Sequence, residues 1–287
     1  MPEHGFSDFT PVGFGSSGTP LHRNTPTVLN AAVLYAQFWD GRLATVEDQI
    51  PEVFHRTGEA AIDMEQALQL LNASPEYQSL FQKAFGGPPT SQTFCQAIGS
   101  YERTLLSGDT RFDRFVFGGD QNALTAAEKK AYEIFTGKGN CVTCHKISQH
   151  SSDNSAYALF TDQKFHNLGI GVYGRFMKDS GRYGVTGDRK DFGAFRTAPL
   201  RNVALTDPYM HDGSIATLAQ VVDLYDRGGI PNSNLDPRIK PLHLSPQEKR
   251  CLVAFLKTLS DEKIAKTWIS AAKLQAALER ENKTLNK

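Results

Sequence analysis

"GKGNCVTCHKI", residues 137–147, is the stretch on which the reading of this chain turns. Cys141 and Cys144 are two residues apart and His145 follows at once, the C-x-x-C-H pattern of c-type haem attachment. The spacing has a chemical reason: two thiols on one turn add to the two vinyl groups of a porphyrin, and the adjoining imidazole reaches its iron. A zinc site would want a second Cys or His pair at suitable spacing. A redox dithiol would want a β-α-β context, and the surrounding sequence offers neither. One covalent haem c at Cys141, Cys144 and His145 is therefore expected.

The flanking residues predict helices. T-A-A-E at 125–128 is a capping box, so the haem motif falls just beyond the end of the helix it opens. In "TLAQVVDLYDR", 217–227, Leu218, Val221, Val222 and Tyr225 follow the i, i+3, i+4, i+7 spacing of one apolar stripe. S-P-Q-E at 245–248 starts a further helix, with Leu252, Phe255, Leu256 and Leu259 on its buried face. Upstream, helical patterns cover 28–39, 63–73, 74–85 and 91–106, with Ser74 and Pro75 in the N-cap and first helical positions. The first ~25 residues read as loop. Residues 148–195 are polar and glycine-rich and predict a long, partly irregular excursion of a ligand-enclosing kind. No strand alternation is sustained enough to build a sheet, and the expected fold class is all-α.

Bulk properties narrow the function classes. Lys plus Arg and Asp plus Glu are 31 each, so no net charge points to nucleic acid or an anionic membrane surface. No apolar run approaches the ~20 residues of a membrane span. The remaining cysteines, Cys95 and Cys251, lie in helical patterns and are expected as buried free thiols, with a disulfide between them as the alternative in an oxidising compartment. A second axial ligand for the iron has two candidates. Met210 in "DPYMHDG" would come from a loop and Tyr225 from a helix stripe, where a tyrosine is more often core than ligand; the residues alone leave the choice open.

The segments "GFSD", "RNTPTVLNAA", "FWDGR", "VEDQ", "CVTCH", "FRTAPLRNVALTDPYMHDGSIATL", "VVDLYDRGG" and "VAFLKTL" run nearly end to end. Through them the chain resembles the bacterial diheme cytochrome c peroxidase superfamily, in its MauG-like branch. The resemblance implies two cytochrome c-like domains, here 1–120 without its own C-x-x-C-H and 121–260 with haem c, followed by a helical tail at 261–287. It implies a high-potential C-terminal haem and a peroxide-reactive N-terminal one. Trp39 matches the aromatic relay between the haems, and Gln49 and Glu59 match the distal-pocket pair. A carboxylate there can carry a proton between the peroxide oxygens. Ser16 stands where peroxidases place a capping histidine, which implies an open peroxide site; His22 is close by but off that position.

In the same family the second axial ligand lies 17 residues after the Pro of T-x-P-Y, a count that reaches Tyr225 from Pro208 and favours Tyr225 over Met210. A calcium ion between the domains would be held by Asn24, Thr206 and Pro208, hard oxygen donors of the kind calcium takes. The family's first C-x-x-C-H lies immediately before a segment resembling "MPEHGFSD". The expectation is thus a chain cut just after that motif, with a second haem in the full-length form. The first residues have no basic and apolar export signal, although haem c attachment places such proteins in the periplasm. The implied function is a periplasmic oxidoreductase that uses hydrogen peroxide, with a small redox protein as electron donor or a protein as substrate, and with room for a homodimer. A monohaem electron-transfer protein or haem sensor is the competing expectation.

Overall fold

Each helix for which a cap was read begins at that cap. In the computed structural model, which describes residues 4–55, 59–60, 62–152, 155–173 and 176–263, the helices are α1 Val46–His55, α2 Met64–Ala73, α3 Pro75–Phe85, α4 Ser91–Glu102, α5 Arg111–Val116, α6 Ala126–Thr136, α7 Tyr183–Thr186, α8 Leu218–Asp226 and α9 Pro246–Lys257. Thr125 and Ser245 each accept from the backbone N–H of a glutamate three residues on, and each glutamate's carboxylate accepts from the cap's own N–H. Thr217 and Gln220 open α8 in the same way. Such caps stabilise a helix by about 1 kcal/mol each.

α6 and α8 both pack on α9. The core they share is aromatic: Phe112, Phe135, Phe160 and Phe255 are fully buried, with Phe112 and Phe160 edge to face at 4.9 Å and Phe135 and Phe255 at 5.1 Å. The predicted face of α9 is buried throughout, Leu252, Phe255, Leu256 and Leu259 included. Upstream, α1, α2 and α4 pack against one another, and α3 against α2. A buried ion pair ties α5 to the chain beyond the hairpins: both guanidinium nitrogens of Arg201 donate to the Asp113 carboxylate, at 2.7 and 2.8 Å.

Two expectations need correction. Residues 28–39 are not a helix. A 3-10 turn covers only Ala31–Val33, because Asn30 (φ 59°) and Phe38 (φ 64°) sit in the left-handed region. Asn30 is drawn out of helical geometry by a reciprocal pair of bonds to the backbone of Ser107, so a tertiary contact overrides the local pattern. The second correction concerns 148–195, which contains antiparallel ribbons: β1 Gln149–Ser152 with β2 Ser155–Ala158, β3 Phe165–His166 with β6 Phe195–Arg196, and β4 Val172–Tyr173 with β5 Phe176–Met177. Strands of two to four residues show no legible alternation. The fold is predominantly helical with these ribbons added, rather than all-α.

The early segment is locked onto the "DPYMHDG" loop. Gly213 (φ +62°) lies so close to the backbone of Pro11 that a Cβ there would meet it at 2.0–2.5 Å. The N–H of Asn24 donates to the carbonyl of His211 at 2.7 Å. Arg23 bridges Asp40 and Asp179. α1 and α5 were not anticipated, and the helix expected in 261–287 lies outside the described residues beyond Lys263.

Candidate functional site

The haem motif is built at the end of α6. The chain leaves the helix through Gly137, and the N–H of Gly139 returns to the carbonyl of Ile134 at 2.7 Å. A left-handed Asn140 then starts the 3-10 turn Cys141–Thr143, and the N–H of His145 closes it on the carbonyl of Cys141 at 2.8 Å. The two thiols and the imidazole thus belong to one tight unit. His145 Nδ1 lies 2.9 Å from the carbonyl of Phe160. A carbonyl only accepts, so Nδ1 carries the proton and Nε2 holds the lone pair, the tautomer an iron ligand needs. Burial pulls the His145 pKa down and keeps the ring neutral, and it pushes the Cys141 thiol up to about 12.

All three residues face a cavity of about 260 Å³. Ordinary packing leaves few voids larger than a water, which needs only about 10–15 Å³ by a comparable measure. The walls are largely apolar, with Leu29, Leu34, Phe135, Leu218, Val222 and Leu252 among them. α8 directs Leu218 and Val222 into the core and brings Tyr225 to the cavity wall. Burial, with the nearby cysteine sulfurs, pushes the Tyr225 phenol up. Met210 also lines the cavity, from a left-handed backbone position at φ 75°. Both ligand candidates are therefore brought to the same space as His145.

Trp39 reaches this wall as well, its indole N–H donating to the carbonyl of Asn24 at 2.8 Å. Beside it is a residue the sequence reading passed over. His211 stacks on Phe195 at 3.6 Å with planes 12° apart, and Trp39 stands edge-on at 6.5 Å. Burial pulls the His211 pKa down to about 4, so the ring is neutral. Its position directly after Met210 was the available signal. Asn24, Thr206 and Pro208 also line the cavity. The Asn24 amide donates to the carbonyls of Thr10 and Pro11 at 3.2 and 3.3 Å, which commits its nitrogen and leaves its oxygen as the atom able to accept or ligate.

Gln49 and Glu59 are not part of this cavity. Gln49 is half-buried in α1, and the carbonyl of Glu59 accepts from the N–H of Ser16 at 3.2 Å, which brings Ser16 and Glu59 together. His22 is exposed. All four cysteines are free thiols, with Cys95 buried and Cys251 half-buried.

Cys144, Asp162 and His166 place their ligating atoms within 4.8 Å of one another. The His166 ring nitrogens contact Asp162 at 3.0 Å and Asp236 at 2.8 Å. Burial alone would lower the His166 pKa, but its bonds to Cys144 and Asp162 and their charges raise it to about 9. A thioether at Cys144 would leave this cluster without a thiolate donor for a metal. Cys144 belongs to the haem motif, whereas Asp162 and His166 follow no motif in the sequence.

The description "Di-haem cytochrome c peroxidase" belongs to the family model that matches residues 1–122. The methylamine utilization protein MauG of Methylorubrum extorquens is 36% identical over 93% of this chain and 72% of its own length. The cytochrome c551 peroxidase of Pseudomonas aeruginosa is 35% identical, over 89% of this chain and 70% of its own. The chain belongs to the di-haem cytochrome c peroxidase family. It is a haem oxidoreductase of the peroxidase and MauG kind. Among solved structures, a MauG-like protein associated with microbial copper homeostasis superposes with a TM-score of 0.79 at 31% identity, covering 92% of this chain and 83% of the other. The diheme peroxidase BthA from Burkholderia thailandensis shares the fold, with a TM-score of 0.73 at 21% identity, over 89% and 76%.

The cavity fits the haem c that this family implies. It combines a thiol pair on one turn, an imidazole in the right tautomer and a large apolar space. Its wall also holds the buried Arg196, whose Nη1 has no hydrogen-bond partner. Among the described lining residues there is no Asp or Glu.

Proposed function

We propose that this chain carries the electron-transfer half of a periplasmic peroxide-using enzyme. Cys141 and Cys144 would hold one haem c covalently, with His145 as its proximal ligand. The observation that carries this reading is the His145–Phe160 bond at the mouth of the C-x-x-C-H turn, facing the cavity. Bound haem would supply an iron that changes oxidation state while it passes electrons onward.

The chain's own residues do the rest. The Phe160 carbonyl keeps Nδ1 protonated and fixes the plane of the imidazole. Leu218, Val222 and Leu252 exclude water from the cavity. Tyr225 is favoured over Met210 as the second ligand, because the family count reaches it and α8 brings it to the wall; Met210 is the alternative. Trp39 offers an aromatic path out of the cavity. Asn24, Thr206 and Pro208 would hold calcium, which supports the same wall. Gln49 and Glu59 lie apart from this cavity, as residues serving a second, peroxide-reactive haem would, and the Glu59 carboxylate would move the peroxide proton there. The separate packing of α1, α2 and α4 and of α6, α8 and α9 supports two domains meeting near residue 120. Electrons come from a small redox protein or are drawn from a protein substrate, and a homodimer is compatible with this scheme.

The test is haem stoichiometry by mass spectrometry, and a spectrum, on protein made with cytochrome c maturation machinery. One covalent haem on this chain is expected, lost in the Cys141→Ala, Cys144→Ala double variant. Expression from a gene extended upstream should add a second haem and a spectral response to hydrogen peroxide. One haem and no peroxide response in the extended form would favour a monohaem electron-transfer protein instead.

A further inference from the structure

Arg196 is a buried cation that no carboxylate meets among the described residues. The residue is 6% exposed, and its Nη1 is buried with no hydrogen-bond partner. Its Nε makes only a long 3.4 Å contact to the carbonyl of Phe38, while its backbone N–H donates to the carbonyl of Trp39 at 2.8 Å. Burial pulls the guanidinium pKa down to about 10, so it is still charged near neutral pH. Retaining an unpaired buried cation costs several kcal/mol unless an anion meets it.

The neighbours do not supply one. Arg201 and Arg238 also line the cavity, and each has its own carboxylate, Asp113 and Asp236. Among the described residues Arg196 has no such partner, and the described lining contributes no carboxylate that could turn to it. The complement must come from the occupant of the cavity.

We propose that Arg196 is a carboxylate-binding residue of this cavity, pairing its unpartnered Nη1 with a propionate of the bound haem. The assignment rests on the haem c reading above and specifies how the group is oriented. With the thioethers fixed at Cys141 and Cys144, a propionate at Arg196 sets the rotation of the macrocycle within the pocket. It also places that edge beside the Phe38–Trp39 backbone to which β6 is bonded. Guanidinium suits a carboxylate through two parallel N–H donors, a match that lysine makes only as a point charge.

The experiment compares wild type, Arg196→Met and Arg196→Lys, all matured with covalent haem. The readouts are the haem midpoint potential and the propionate-bending bands in resonance Raman. Removing a cation from beside the haem favours the ferric state, so Arg196→Met should have a lower potential and shifted propionate bands. Arg196→Lys should keep the potential closer to wild type while the bands still move, since it retains charge but not the fork. Haem-loaded Arg196→Met with unchanged potential and unchanged bands overturns the assignment. If Arg196→Met does not fold, the Lys variant decides alone: unmoved bands overturn the assignment. Wild-type chain without covalent haem overturns the underlying reading and this assignment with it.

Discussion

Asp113→Asn should be among the most damaging single-atom changes available in this protein. The Asp113 carboxylate accepts from both Arg201 nitrogens, at 2.7 and 2.8 Å, and also caps α5 by accepting from the N–H and hydroxyl of Thr110, at 2.9 and 2.8 Å. Both ionic side chains are 2% exposed. The amide has one acceptor oxygen for these four donors and leaves the guanidinium without its counter-charge. Breaking a buried pair from one side costs about 3–5 kcal/mol, a large share of the roughly 5–15 kcal/mol that holds a domain together. Urea denaturation followed by far-UV circular dichroism should show that loss as a lower midpoint with little change in slope. Asp113→Leu combined with Arg201→Met should be less damaging than the sum of the two singles, because no charge is then stranded, although the Ala158 carbonyl loses its two bonds from Arg201. A cost below about 1 kcal/mol for Asp113→Asn, or strict additivity in the cycle, would refute this account of the pair.

Three further outcomes follow from other parts of the fold. Phe255→Ala empties the centre of the aromatic core and should cost about 3–5 kcal/mol in the same denaturation assay. Gly213→Ala puts a Cβ against the Pro11 backbone at a positive φ and should lower the thermal midpoint, whereas Gly18→Ala, which meets nothing within 4 Å, should be milder. Burial would raise the Asp236 pKa, but the Arg238 side-chain and backbone bonds hold it at about 2. Its contribution to stability is therefore present above the unfolded value of about 4 and lost as pH falls through about 2. Thermal melts between pH 5 and pH 2 should steepen this loss in wild type relative to Asp236→Asn.

The parts of the molecule legible in the sequence were those in which local chemistry decides. Ser74, Thr125 and Ser245 cap the helices they were expected to cap, and the α9 stripe is buried as its spacing required. C-x-x-C-H was legible because one chemistry demands that spacing. Residues 28–39 read as a helix because the pattern cannot register the bonds between Asn30 and Ser107, which lie 77 positions apart. The ribbons of 149–196 were illegible because their strands are shorter than a period of alternation needs. His166 and Arg196 carried no signal at all, since each takes its meaning from groups brought near by the fold: Cys144 and Asp236 for one, an apolar cavity for the other. His211 could have been noticed beside Met210, but only the stacking on Phe195 marks it out.

Phe160 serves two masters. Its carbonyl oxygen accepts the hydrogen bond from His145 Nδ1–H, and its ring, on a backbone held at φ 59°, is wedged among Phe112, Phe135 and Phe255. A displacement of any of those rings is thereby transmitted to the imidazole's strongest fixed contact. Variation in the hydrophobic interior should be read out as colour: conservative swaps at Phe112 or Phe135 that barely alter melting would still shift the Soret band and the reduction potential. For this scaffold, the freedom of the interior to drift is limited by spectroscopy and redox poise before it is limited by folding.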